Sequence, residues 1–402
     1  MAAIKYWVWL SALRMRPRAK QLLLTHMHGD PEALYYAEEK ALRVVEGIRK
    51  EDLDILSVRE TRTAEEILDI CRTEGIDIVT VQDAQYPERL KNIFDPPLVL
   101  YVKGRLPDLD DEAAIAVVGT RDPSPYGLRY ARQFGYGLAK CGAVLVSGLT
   151  RGIDRTAAEG ALMADGIVIG VLGTGIDEAK GAIYEDVTAH GALVSEYPPR
   201  QHGNKLNFRM RNRITAGLSV AALVVEAPEK SGALLFADEA LEQGKEIFVL
   251  PADVGAQSCR GNLKLLRDGA IPAIEPWNVL EDFGTMYPRV HWEDVSDAPK
   301  FVPPTKEKYA DFVAVRRTPV KKDIDKPKSV PYIDWEQEKA KLTELQVQIV
   351  EALQRGPMQI DELIVALDLP APEILPQLTL LEIEGLIAQT PGKQFVIHEN
   401  VK

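Results

Sequence analysis

Ile115-Ala116-Val117-Val118-Gly119-Thr120-Arg121 is the stretch that decides the fold. An unbroken apolar run stops at a glycine, and a helical pattern begins a few residues on, near Ser124 to Gly127. The same texture recurs along the chain. Strand-like runs lie at Ala143–Val146, Ile167–Leu172, Ala192–Val194, Val220–Val225 and Glu246–Leu250. Helical segments fall between them, near 125–140, 153–164, 180–190, 208–217 and 231–243. Strands that are apolar throughout are buried on both faces, and helices between them cover those faces. The fold class is therefore α/β, a Rossmann-like, doubly wound, mostly parallel sheet.

Outward from that core the periodicity changes. Residues 1–75 carry apolar positions at helical spacing (Trp7-Leu10-Leu13, Ala41-Val44-Val45-Ile48, Ile67-Ile70) and form an N-terminal helical domain. Asp30 before Pro31 and Thr63 before Ala64 are its candidate caps. Arg14, Arg16, Arg18 and Lys20 there read as a solvated helix face, with DNA contact as the sharper alternative. The core unit is assigned to 76–283, its entry segment holding strand-like Ile76–Val81 and Pro97–Val102. Residues 284–335 lose periodicity and gather prolines (Pro288, Pro299, Pro303, Pro304, Pro319, Pro327, Pro331), the composition of a flexible linker. From 336 to 402 helices at 342–354, 360–367 and 371–384 lead into a hairpin, the layout of a winged-helix domain. Its third helix, Pro372 to Gly385, carries Glu373, Glu382 and Glu384 and no basic residue. Duplex readers need cations beside phosphates, so a protein-interaction role is the expectation for that module.

Charge supplies the functional signal. The chain carries a formal net charge of -12, yet Tyr197 to Val225 contains no Asp or Glu and holds Arg200, Lys205, Arg209, Arg211 and Arg213. With Phe208 and Asn212 among those cations, backbone charge and base stacking are offered together, as single-stranded nucleic acid requires. In an open α/β sheet, ligands bind at the carboxyl ends of the strands. There the sequence places Gly119-Thr120-Arg121, Ser147-Gly148, Gly173-Thr174-Gly175 and Ser195-Glu196. Glycine turns let backbone N–H groups approach an anion, and Arg121 adds a charged fork.

Several chemistries are disfavoured. Gly119 does not begin a G-x-G-x-x-G, no acidic residue ends the second strand, and no Gly-Lys-Ser/Thr follows a glycine loop. Dinucleotide-dependent redox chemistry and NTP hydrolysis are thereby poor readings. Thr25-His26-Met27-His28-Gly29-Asp30 approaches a zinc signature, but Pro31 stands where a further His is wanted, and a polar turn between helices is the better account. Glu226-Ala227 and Ser231-Gly232 are more simply a positioning device and a helix start than a catalytic pair. Cys71, Cys141 and Cys259 are few, scattered and odd in number, which suits a reducing compartment. No apolar run approaches membrane-span length, and the cytoplasm is the expected location.

Taken in order, Ile115–Arg121, Ser147-Gly148-Leu149-Thr150-Arg151-Gly152-Ile153-Asp154, Ser195–Pro199, Asn207–Ile214 and Glu226-Ala227 with Ser231–Leu234 resemble the DprA/Smf (DNA-processing protein A) family. Tyr86–Leu90 with Asp95-Pro96-Pro97 resembles that family's entry into its core. Departures lie at Glu178–Ala182, at Pro251-Ala252 and at Phe208-Arg209. The resemblance implies an N-terminal helical domain of the SAM or helix-hairpin-helix kind and a non-enzymatic, single-stranded-DNA-binding recombination mediator. Such a protein protects incoming DNA and loads RecA recombinase in natural transformation, acts as a homodimer, and needs neither metal nor cofactor. Its DNA pocket would be lined by Arg121, Lys205, Phe208, Arg211, Asn212 and Arg213, with Gly119, Thr120, Ser147, Gly148, Gly173 and Gly175 contacting phosphate. The competing expectation is a nucleotide-binding Rossmann-like enzyme that cleaves nucleoside monophosphates. That chemistry wants a glycine loop followed by a placed Glu, and Leu172-Gly173-Thr174-Gly175 does not supply it.

Overall fold

The run quoted above forms β3 (Ala114–Val118), the strand about which the sheet is organised. The computed structural model describes residues 4–295, 298, 339, 342–354, 356–367, 369–383, 386–390 and 394–397. Among them, β1 (Asp77–Thr80), β2 (Val99–Gly104), β3, β4 (Val144–Ser147), β5 (Val168–Leu172), β6 (Ala192–Ser195), β7 (Ala221–Val224), β8 (Glu246–Val249) and β9 (Ile271–Pro272) make one nine-stranded sheet. Its order is β1-β2-β6-β5-β4-β3-β7-β8-β9. Every pairing from β6 to β9 is parallel, and β1 and β2 are antiparallel additions. Because β3 pairs with β4 on one side and β7 on the other, the winding direction reverses there. A crevice opens at the carboxyl ends of these strands.

Alternation along β3 explains its two-sided burial. Ile115 and Val117 join Ala131, Phe134 and Ala157, from α8 (Pro125–Lys140) and α9 (Ile153–Met163). Ala116 and Val118 join Ala216 and Phe236, from α11 (Lys205–Leu218) and α12 (Gly232–Glu242). Phe134 is fully buried, worth about 1.5–3 kcal/mol on transfer alone.

The N-terminal helices are α1 (Ile4–Ala12), α2 (Pro17–His26), α3 (Pro31–Tyr36), α4 (Glu39–Leu42), α5 (Lys50–Ser57) and α6 (Arg62–Glu74). Trp7, Leu10, Leu23 and Leu34 share one continuous core with Val99 and Tyr101 of β2. The boundary expected at residue 75 is thus a change of architecture rather than a gap in the packing. The side chain of Asp30 accepts from the N–H groups of Glu32 and Ala33, so His26–Asp30 is the turn that caps α3. The cap position before α6 is Thr61, not Thr63, because the helix starts two residues earlier, at Arg62. The basic cluster is not one solvated face either: Arg16 pairs with Asp52, and Lys20 turns inward to donate to Ser11 O at 2.6 Å.

The segment expected to be linker begins later than residue 284. Val290 is buried in the same core, Arg289 pairs with Glu112 at 2.6 Å, and the His291 N–H donates to Cys141 O. Beyond 295 the expected linker lies outside the described residues, apart from residue 298.

Between those elements lie α7 (Glu88–Lys91), α10 (Ala182–His190) and α13 (Arg260–Arg267). The described residues from 339 onward belong to a second compact unit. It contains α14 (Glu344–Leu353), β10 (Met358–Gln359), α15 (Ile360–Leu367), α16 (Ala371–Ile383), β11 (Ile387–Thr390) and β12 (Gln394–Ile397). The strand order β10-β12-β11 closes the wing, and Ile349, Leu363, Leu378, Leu381 and Ile387 form its core. Thr343 and Gln346 make a reciprocal cap on α14.

Candidate nucleic-acid interface

A cavity of about 410 Å³ occupies the crevice, bounded by the turn after β3, the start of α9, the first two turns of α11 and the start of α12. α11 is aimed by its cap: the Asn204 side chain accepts from the Asn207 N–H at 2.9 Å. With about 100° per residue, Lys205, Phe208, Arg209 and Asn212 then share the face toward the cavity.

Phe208 rests against bare backbone. A Cβ at Gly173 would come within 2.9 Å of its ring, and one at Gly203 within 3.0 Å. The Arg121 guanidinium lies over the same ring, 5.7 Å from its centroid. A planar base reaching this ring would find an aromatic face with a planar cation beside it, the surfaces that base stacking uses.

Charge divides the cavity into a rim and a floor. Arg121, Lys205, Arg209 and Lys230 are exposed and line it, and among the described residues none of these four enters an ion pair. Lys230 stands beside the N-terminus of α12, which Ser231 caps by accepting from the Ala233 N–H. A helix start adds its positive dipole end to that wall. The floor holds Arg211, 5% exposed, and Asp154, 6% exposed. Asp154 accepts from Gly119 N–H at 3.3 Å and from Thr150 Oγ1 at 2.8 Å. Burial pushes its carboxyl up, while Arg211 and those two hydrogen bonds pull it back. Burial likewise pulls the Arg211 guanidinium down, opposed by the Asp154 charge.

Arg121, Lys205, Phe208, Arg211 and Asn212 therefore converge as the sequence suggests. Arg213 does not. Two residues beyond Arg211 it lies about 200° around the helix, where it pairs with Glu196 at 2.6 Å and Asp95 at 3.6 Å. It ties α11 to the entry segment and lines a different cavity, with Phe94 and Glu242.

The glycine-rich turns also serve the site differently from expectation. The Gly119 N–H is spent on Asp154 and the Thr120 N–H on Glu226 O at 2.7 Å. Ser147 Oγ donates to Asp154 O, and Gly175 N–H to Gln201 O. Gly148 lies beneath Arg211 and Gly173 beneath Phe208. Gly148 and Gly173 thus form the bed on which Arg211 and Phe208 lie, and the cavity wall itself is lined by Gly119 and Thr120 alone of the six.

Sequence reasoning missed Asp154, Thr150 and the α12 wall at Lys230–Phe236. The signal was present in Lys230-Ser231-Gly232, a βα turn at the end of β7 like the others. Glu226 is the positioning device it resembled: its carboxylate accepts from the backbone N–H and Oγ of Ser124, fixing the start of α8.

Comparison with known proteins follows the same outline. A family model described as DNA recombination-mediator protein A matches residues 77–284, and one described as DprA winged helix domain matches 335–393. The Smf protein of a Synechocystis species is 32% identical over 400 residues, spanning 97% of this chain and 98% of that one. The DNA processing protein DprA of Bacillus subtilis is 38% identical over 208 residues, 51% of this chain and 70% of its own. A crystal structure of DNA processing protein A from Streptococcus pneumoniae aligns with a TM-score of 0.59 at 26% identity, covering 73% of this chain and all of that one.

Proposed function

The chain belongs to the DNA recombination-mediator protein A family, and from that premise we propose that it binds single-stranded DNA in the cavity at the carboxyl edge of its sheet. The observation that carries this is the placing of Phe208 within a rim of exposed cations that enter no ion pair among the described residues. Phosphates want the rim, where Arg121, Lys205, Arg209 and Lys230 stay exposed to solvent. Bases want the stacking surface of Phe208, which only an unpaired strand can offer them without melting a duplex.

In this role the protein coats and protects an incoming strand and hands it to a RecA-type recombinase during transformation. It works in the cytoplasm as a homodimer, so that a strand extends across two cavities. The site acts by binding and not by catalysis. Glu226, the carboxylate best placed by sequence to act as an acid or base, is committed to Ser124, which favours this over nucleotide cleavage. The acidic third helix of the winged-helix module supports a protein partner for that domain rather than duplex DNA.

Binding of a labelled oligo-dT and of a duplex of equal length, each measured against salt, tests the proposal. Selective single-strand binding that weakens as salt rises supports it. Equal or stronger duplex binding contradicts it. The mediator role is tested separately, by RecA-driven strand exchange on single-strand-binding-protein-coated DNA with and without this protein.

A further inference from the structure

We propose that the N-terminal helices carry a second phosphate-binding groove, in which Arg18 and Arg49 hold the backbone of the same strand where it runs on beyond the cavity. The inference rests on the single-strand reading above and extends the path of the strand.

The groove, of about 720 Å³, lies between the start of α2 and the turn that precedes α5. Arg16, Arg18 and Arg49 line it against a single acid, Glu46, in a chain of net charge -12. The three arginines do not share one task. Arg16 is a strut: its Nε donates to Asp52 Oδ1 at 3.3 Å and its Nη2 to Gly47 O at 3.1 Å. It thereby ties the turn to α2. Gly47 has a φ of +87°, and a Cβ there would come within 3.1 Å of Leu22 Cδ1, so the turn keeps a bare backbone against the helix.

Arg18 and Arg49 are exposed, and neither enters an ion pair among the described residues. A guanidinium presents a planar fork of donors that matches phosphate oxygens two at a time. Leu22 and Ile48, half-buried, add apolar surface for a sugar. No aromatic side chain lines the groove, so it offers bases nothing to stack on and takes the backbone alone.

Position links this groove to the cavity. Gln21 stands three residues after Arg18, beside it on the surface of α2. Gln21 Nε2 donates to Asp95 Oδ1 at 3.5 Å, and Asp95 Oδ2 lies 3.6 Å from Arg213 Nε on α11. One residue thus joins α2 to the helix whose other face walls the cavity. The acids on that route, Asp95 and Glu196, are both paired with Arg213, so a backbone crossing there meets compensated charge.

The experiment measures binding of oligo-dT of about 5 and about 25 nucleotides against salt, for the native protein and for Arg18→Ala/Arg49→Ala. Two phosphate contacts at about 0.7 each amount to about 1.4 in the slope of log K against log salt. On the long strand the double variant should bind more weakly, with a slope smaller in magnitude by that amount. On the short strand, which the cavity holds alone, it should match the native protein, which also reports that it is folded. Arg18→Lys/Arg49→Lys keeps both charges and should restore the slope. An unchanged affinity and slope on the long strand overturns the inference and leaves the single-strand reading intact. Equal losses on both lengths overturn it too, since they would place the effect of these arginines at the cavity. No binding of either strand by the native protein removes the single-strand reading and this one with it.

Discussion

The guanidinium of Arg211 lies directly over the bare Cα of Gly148, where a Cβ would come within 2.0 Å of Nη1. The glycine at the end of β4 is what lets a buried arginine lie flat across the sheet edge. Gly148→Ala would have to displace Arg211 or the backbone beneath it. Overpacking of this kind costs about 1–3 kcal/mol, and the displaced guanidinium no longer presents its donors to the cavity. We expect a lower unfolding midpoint in urea together with weaker oligo-dT binding, both read on the same preparation.

Lys205 and Arg213 sit on one helix but serve different ends, and their alanine variants should part accordingly. Lys205→Ala removes an exposed rim cation. It should weaken binding across all sequences and reduce the magnitude of the salt slope by about 0.7, with stability unchanged. Arg213→Ala removes a buried partner from Glu196 and Asp95. It should cost toward the lower end of about 3–5 kcal/mol in stability, because Glu196 is 26% exposed, and leave the salt slope as it was. Equal salt slopes for Lys205→Ala and the native protein would speak against the assigned rim.

Phe208→Ala takes away stacking area and no charge. Affinity for oligo-dT should fall by about 1–3 kcal/mol per stacked base, with the salt slope unchanged. A fluorescence anisotropy series at several salt concentrations separates the two quantities.

Lys20 gives the chain a pH signature. Burial pulls its ammonium down to about 8 from an ordinary 10.5, opposed by Glu196 and Asp95. Between those two values the unfolded chain holds a proton that the folded chain has released, so this group's contribution to stability rises with pH across the window. Below about 8 both states are charged and the full cost of burying the charge is present. The stability of the native protein relative to Lys20→Met should therefore climb from pH 8 to 10.5, measured by urea unfolding at each pH. A flat difference would place Lys20 in solvent.

Much of this architecture was legible before the structure, for physical reasons. Runs such as Ile115–Val118 are apolar on both faces, and only a covered parallel sheet uses such strands, so periodicity alone located β3 to β8 within a residue or two. Phe208 and Lys205 were legible because an acid-free window in a chain of net charge -12 is conspicuous. Arg213 was misplaced because composition within a window ignores helical phase; a turn of 200° from Arg211 carries it to Glu196 and Asp95. Asp154 escaped because a lone acid reads as the opposite of an anion site until burial beside Arg211 is seen. The N–H groups of Gly119 and Thr120 looked available to phosphate, and only tertiary pairing with Asp154 and Glu226 shows them spent. Long-range partners of this sort have no signature in local sequence.

On the proposed reading, four exposed cations and one stacking ring make this cavity a single-strand site. Its most direct test is the salt dependence of oligo-dT binding by the native protein, with equal-length duplex DNA as comparison. Four rim cations at about 0.7 each imply a slope near −3 in log K against log salt for one cavity, with the duplex bound more weakly throughout. A slope near zero, or a duplex bound as tightly as the single strand, would contradict it.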